Sequence, residues 1–168
     1  MYISSGQLVF SPSDLITFME SEYASAMERL KLEDASFSEL MDVEDVVLAS
    51  LQKKGYEHED AFTERLKMLG KDVLETKRAT PQQTLDATLE AMKAGQEVIT
   101  QGYLSLGQFG GFTDYLVRVP EASNFGDYHY EVWDTKLSTK LTIRRGDFSF
   151  IFNDRFAELV MQTLHESL

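Results

Sequence analysis

The segment Tyr130-Glu131-Val132-Trp133-Asp134-Thr135-Lys136 carries the pattern with the most chemical promise in the chain. On a strand, side chains alternate between faces, so Asp134 and Lys136 share one face while Glu131, Trp133 and Thr135 take the other. An Asp and a Lys ending an aromatic, β-branched strand are costly to bury unless they pair or hold an ion. On a half-exposed sheet the same two residues make an ordinary surface ion pair. A second acid lies upstream, in Gly110-Gly111-Phe112-Thr113-Asp114-Tyr115-Leu116. Alternation sets Asp114 on one face with Phe112 and Leu116, poor company for a solubilising residue. If the two strands pair antiparallel through residues 120–127, Asp114 falls opposite roughly residue 133, and Asp114 and Asp134 converge. Two carboxylates on one sheet face repel, and both stay ionised most readily around a divalent cation.

His58, within Gly55-Tyr56-Glu57-His58-Glu59, stands at the start of a helix one turn before Phe62. A lone helical histidine is more often structural than functional, so its spacing alone assigns it no role. His129 alternates away from Asp134, and His165 falls near the end of the sequence.

The elements that must position these residues follow from capping and periodicity. Ser11 caps a helix over 11–31, with Pro12 in its first turn and Asp14 reaching back to the cap. Residues 33–45 are acidic and form a short helix or loop. Val46 to Leu51 is apolar, Gly55 interrupts, and a second helix runs from Glu57 to about Leu69 with Gly70 as its cap. Asp72 to Thr76 reads as a short strand. Thr80 and Pro81 open a third helix carrying Leu85, Leu89 and Met92, which Gly95 ends. Extended segments follow at Glu97–Leu106, Phe112–Val119 and Tyr128–Lys136, with Gly107, Gly110 and Gly111 in the first turn. Leu141–Phe152 is extended in character, and Asp154–Glu166 is a final amphipathic helix. The pattern predicts an α/β fold in one domain over 1–168, a central mixed β-sheet with an antiparallel meander flanked by helices.

Composition narrows the chemistry. The chain has 168 residues, 43% hydrophobic and 26% charged, as one globular domain should. It has no cysteine, which excludes a disulfide framework, an Fe–S cluster, a cysteine nucleophile and a thiolate zinc site. That fits a cytoplasmic protein. The first ten residues lack a basic region and a long apolar core, so no signal peptide is expected, and no run suggests a membrane span. The net charge of −12 lacks the basic footprint of a nucleic-acid binder. It is uneven, however: residues 1–60 hold 4 basic and 13 acidic side chains, residues 61–168 hold 12 and 15. The second part can therefore still present a local basic surface.

Taken together, Gly55-Tyr56-Glu57-His58-Glu59, Gly110-Gly111-Phe112-Thr113-Asp114 and Glu131-Val132-Trp133-Asp134-Thr135-Lys136 resemble the RecB-like branch of the PD-(D/E)XK nuclease superfamily. Phe10-Ser11-Pro12-Ser13-Asp14-Leu15 and Val98-Ile99-Thr100-Gln101 extend the likeness to a group of uncharacterised RecB-like nucleases, over about residues 8–140. The resemblance implies a restriction-endonuclease-like core and a metal-dependent phosphodiesterase acting on nucleic acid, chiefly DNA. It implies His58, Asp114 and Asp134 as metal ligands, with the backbone carbonyl of Thr135 as a further one. Lys136 would orient the attacking water and offset developing negative charge. Oxygen ligands suit Mg²⁺ or Mn²⁺, and a histidine tips the balance toward Mn²⁺. The sequence departs from the family after Lys136, where only 32 residues follow and no helix bears Gln and Tyr one turn apart.

That departure sets a second expectation beside the nuclease: a weakly active or inactive nucleic-acid-binding subunit, with Lys140, Arg144 and Arg145 contacting phosphates. A third is a protein-interaction subunit or homo-oligomer that uses the acidic first third and the aromatics Tyr103, Phe109, Tyr115 and Tyr128, read as exposed.

Overall fold

The computed structural model describes residues 1–4, 6–40, 46–76 and 80–135. The strand expected at Leu141–Phe152 and the helix expected at Asp154–Glu166 lie outside them. Two short strands, β1 (Tyr2–Ser4) and β2 (Gln7–Val9), form a hairpin ahead of helices α1 (Pro12–Glu20) and α2 (Glu22–Glu33) and a 3₁₀ helix (Ala35–Leu40). Then come α3 (Val46–Met68), β3 (Val73–Glu75), α4 (Pro81–Lys93), β4 (Val98–Thr100), β5 (Tyr103–Leu106), β6 (Phe109–Phe112), β7 (Tyr115–Val119) and β8 (His129–Trp133).

The architecture is mixed α/β. A four-stranded sheet in the order β3-β4-β7-β8 forms its centre. β3 and β4 are parallel, joined through α4 as a parallel crossover requires, and the other two pairs are antiparallel. Alternation then sends successive residues to opposite helices. Ile99, Leu116 and Tyr130 pack with Ala91 and Met92 of α4. Val98 and Tyr115 pack with Leu66 of α3, and Phe62 and Val117 join them. Both faces of the sheet are thereby covered, which explains why Val98-Ile99-Thr100 is buried throughout.

Several expectations change. The single helix over 11–31 is broken at Ser21, which is extended (φ −158°); its N–H closes α1 on the Thr17 carbonyl and its Oγ accepts the Ala24 N–H that opens α2. One serine can thus end one helix and cap the next. Gly55 does not interrupt: α3 runs through it, and the position a Cβ would take there is open. The segment expected at Glu97–Leu106 splits into β4 and β5 at Gln101, whose backbone is left-handed (φ 52°). Gly110 and Gly111 lie in β6, leaving Gly107 and Gln108 as the turn. Asp114 sits in a bend between β6 and β7, outside either strand.

The aromatics read as exposed do not behave alike. Phe109 is exposed, at 37%, and Tyr128 is half-buried, but Tyr103 and Tyr115 are buried, at 4% and 1%. Their hydroxyls have partners, Tyr2 for Tyr103 and both Thr63 and the Glu59 carbonyl for Tyr115. A tyrosine so satisfied behaves as a core residue. Among the described residues, no helix is long and apolar enough to cross a membrane.

The packing of Tyr103 makes a prediction. A Cβ at Gly110 would lie 2.0 Å from Tyr103 Oη and 2.8 Å from its Cζ. Gly110→Ala should cost about 1–3 kcal/mol, as overpacked sites do. Gly55→Ala, with nothing within 4 Å, should be neutral or stabilising by up to about 1 kcal/mol. Urea denaturation measures both; equal midpoints for the two variants would contradict this seating of Tyr103.

Candidate functional site

The strand registers build a site at one end of the central sheet. Thr100 pairs with Tyr115, and Tyr115 with Trp133. Continuing both registers by one residue aligns Gln101, Asp114 and Asp134 in a single row, just past the ends of β4 and β8 and just before β7. On the far side, Glu75 pairs with Thr100, which adds Thr76 to the same row. Hydrogen bonds close it: the Gln101 N–H donates to the Asp114 carbonyl at 2.9 Å, and Thr76 Oγ1 donates to the Gln101 carbonyl at 2.7 Å. The expected opposition of Asp114 to roughly residue 133 is thus offset by one, and the two aspartates do converge.

The electrostatics of this row follow from its geometry. Asp114 is half-buried and its carboxyl is pushed up to about 7. Burial contributes most, then the hydrogen bond and charge of Asp134, then the charge of Glu59. The Thr135 N–H, 3.4 Å from Asp114 Oδ2, acts weakly in the opposite sense. A hydrogen bond between two carboxyl groups needs one proton, so the pair holds either a shared proton or a compensating cation.

Glu59 is the site residue that sequence reasoning passes over. It lies on α3, half-buried, and its carboxylate accepts a hydrogen bond from Gln101 Nε2 at 2.9 Å. Its backbone is fixed as well, because the Tyr115 hydroxyl donates to the Glu59 carbonyl at 2.7 Å and lies 3.0 Å from Thr63 Oγ1. Strict alternation would carry Gln101 to the α4 side with Ile99. The left-handed conformation breaks that alternation, and the side chain reaches α3 on the opposite face. Such a backbone costs a non-glycine residue about 1 kcal/mol or more, and residues held this way cluster at functional sites. Helical geometry supplied a usable signal: Glu59 is one turn before Thr63 and Phe62 follows at i+3, so it borders the stripe that packs on the sheet.

The remaining predicted residues are placed as follows. His58 is exposed on α3; adjacent helical positions diverge by about 100°, so a helix that turns Glu59 toward the sheet turns His58 aside. Thr135 is half-buried, and among the described residues its buried Oγ1 has no hydrogen-bond partner. Lys136, Lys140, Arg144 and Arg145 lie outside the described residues. Among the described residues, no three His, Asp or Glu side chains form a group that could hold a metal ion. The donor chemistry nonetheless fits a hard divalent cation. Asp114 and Asp134 share a hydrogen bond, and among the described residues the buried Thr135 hydroxyl beside Asp134 in sequence has no hydrogen-bond partner.

The raised Asp114 carboxyl yields a pH dependence for the metal-free protein. The unfolded carboxyl titrates near about 3.9, below its folded value. Between these values the native state holds a proton that the unfolded chain has lost. Stability from this group is therefore complete below about pH 4 and declines as pH rises toward about 7. Asp114→Asn cannot ionise, so its stability relative to wild type should grow across that window. Thermal melts of both proteins in chelator at pH 4 to 8 measure it; parallel profiles would contradict the assignment.

No protein-family model, curated protein or solved structure matches the chain, so the case for its chemistry rests on the row of residues at this sheet end.

Proposed function

We propose that the protein is a divalent-cation-dependent nuclease that hydrolyses phosphodiester bonds in DNA, built on a restriction-endonuclease-like core. The observation that carries this reading is the Asp114–Asp134 pair, gathered at the end of two adjacent strands with Thr135 and Lys136 next in sequence. A mixed sheet covered by helices on both faces is consistent with such a core.

In this reading Asp114 and Asp134 would hold Mg²⁺ or Mn²⁺, and the resemblance adds the Thr135 carbonyl to the ligand set, while His58, exposed on α3 and turned aside from the sheet, is left out of it. A bound cation of this kind lowers the pKa of its water and stabilises charge on the scissile phosphate. Asp114 and Asp134 fix the orientation of the reacting centre from rigid strand ends. Lys136 supplies a compact positive charge for the attacking water and the phosphate oxygens. Lys140, Arg144 and Arg145 grip the DNA backbone, an attraction that weakens steeply with salt. A cysteine-free chain suits the reducing cytoplasm, where we place it.

Incubation with single- and double-stranded DNA and Mg²⁺ or Mn²⁺ tests the proposal. Cleavage should occur, stop on chelation, and fall about 100-fold or more in Asp134→Ala and in Lys136→Ala. Salt-sensitive DNA binding without cleavage would instead identify an accessory nucleic-acid-binding subunit. Cleavage indifferent to both substitutions would end the nuclease reading.

A further inference from the structure

Strand β8 ends on the chain's only tryptophan, Trp133, one residue before Asp134. Trp133 pairs with Tyr115, the residue after Asp114. Directly opposed side chains of an antiparallel pair lie on one face, so Trp133 shares the α3 side of the sheet with Tyr115. Their surroundings differ. Tyr115 is buried beneath α3, whereas β8 is the last strand in the sheet order and Trp133 is 43% exposed. The single donor of the indole is already used, since Nε1 donates to Glu131 Oε2 at 3.0 Å. Among the described residues no other aromatic ring or cation stacks on it. Beyond Trp133 the chain reaches Asp114 within two residues, where the Thr135 N–H lies 3.4 Å from Asp114 Oδ2. An exposed ring thus stands beside the two aspartates.

Resting on the reading of this sheet end as a nucleic-acid site, we propose that Trp133 is a stacking platform for an unpaired base, so that the site takes single strands in preference to duplex. Every base has a π-face and gains by stacking on an aromatic ring. In a duplex those faces are already covered by the neighbouring base pairs. Glu131 lies on the same face as Trp133, two positions back along the strand, and is bonded to the indole. Its negative charge repels phosphate and leaves the sheet end as the side from which the backbone approaches. The base then rests on the ring while its phosphate extends toward the row of Asp114 and Asp134. An aliphatic side chain at this position would offer contact area but no π-system.

Titration of the full chain with an oligothymidylate in Mg²⁺ tests this, because Trp133 is the only tryptophan and its emission reports on that ring alone. The single strand should quench the emission, and a duplex of equal length should quench it little. Trp133→Leu should weaken single-strand binding about 10-fold, read by the anisotropy of a labelled oligonucleotide, and leave duplex binding unchanged. Trp133→Phe, which keeps a π-face, should lose less. The emission of the wild-type protein needs no variant, so the test holds even if Trp133→Leu fails to fold. Emission unmoved by a bound single strand, equal quenching by duplex, or wild-type affinity in a folded Trp133→Leu would each overturn the proposal. Quenching in a protein that cleaves nothing would support stacking and end only the hydrolytic reading; cleavage with unmoved emission would do the reverse. A protein that binds no nucleic acid would remove both.

Discussion

Strand β7 is the constraint on which the structure turns. Tyr115 and Leu116 are adjacent in sequence and point to opposite faces, each almost fully buried. Leu116 belongs to the α4 core, and Tyr115 to the α3 core. The Tyr115 hydroxyl does more than fill space, since it ties α3 to the sheet through Glu59 and Thr63. Because β7 pairs with β4 on one side and β8 on the other, a one-residue shift in its register would exchange its two faces. The residue just before this strand is Asp114. The packing that specifies the core therefore also specifies where the carboxylate sits.

Much of this arrangement could be read from residue types. Thr80-Pro81 opens α4 with Thr80 and Gln83 capping reciprocally, because cap chemistry is local and survives any tertiary context. Asp14 reaches back to the Ser11 N–H at 2.6 Å for the same reason. The convergence of Asp114 and Asp134 was legible only on condition that the two strands pair antiparallel through residues 120–127, and the register itself comes from the structure. Other features were not legible. Gln101 breaks an apolar run with no glycine or proline at its own position, and only the structure shows the hydrogen bonds that hold it. Tyr103 and Tyr115 lack a sequence signal for burial, since a tyrosine is buried or exposed according to whether its hydroxyl finds a partner. For Glu59 helical spacing marks only the border of the packing stripe; its hydrogen bond to Gln101, 42 positions away, has no local signal.

The site sets two physical demands against each other. Burial and like charge both disfavour ionisation of Asp114, yet the fold places carboxylates together instead of separating them. Sheet ends make this tolerable, because backbone groups left unpaired beyond the last ladder bond can orient toward the acids, as the Thr135 N–H does. The residual repulsion is a reservoir that a proton or a cation releases.

The N-terminal elements attach to this core through a narrow seat. Neither α1 nor α2 buries a single residue. The β1–β2 hairpin docks through Phe10, which bonds to the Gln108 carbonyl and accepts from the Gly110 N–H, each at 2.8 Å. Pro12 lies close against Gly111, where an added Cβ would come within 2.9 Å. The seat is thus made of residues synthesised about a hundred positions after the hairpin it receives. On a ribosome this hairpin must wait for β5 and β6 before it has anything to rest on. Its contacts close the longest loops in the described fold, which are the slowest to form. Assembly of this seat therefore runs against the order of synthesis, and the hairpin settles after the strands that receive it.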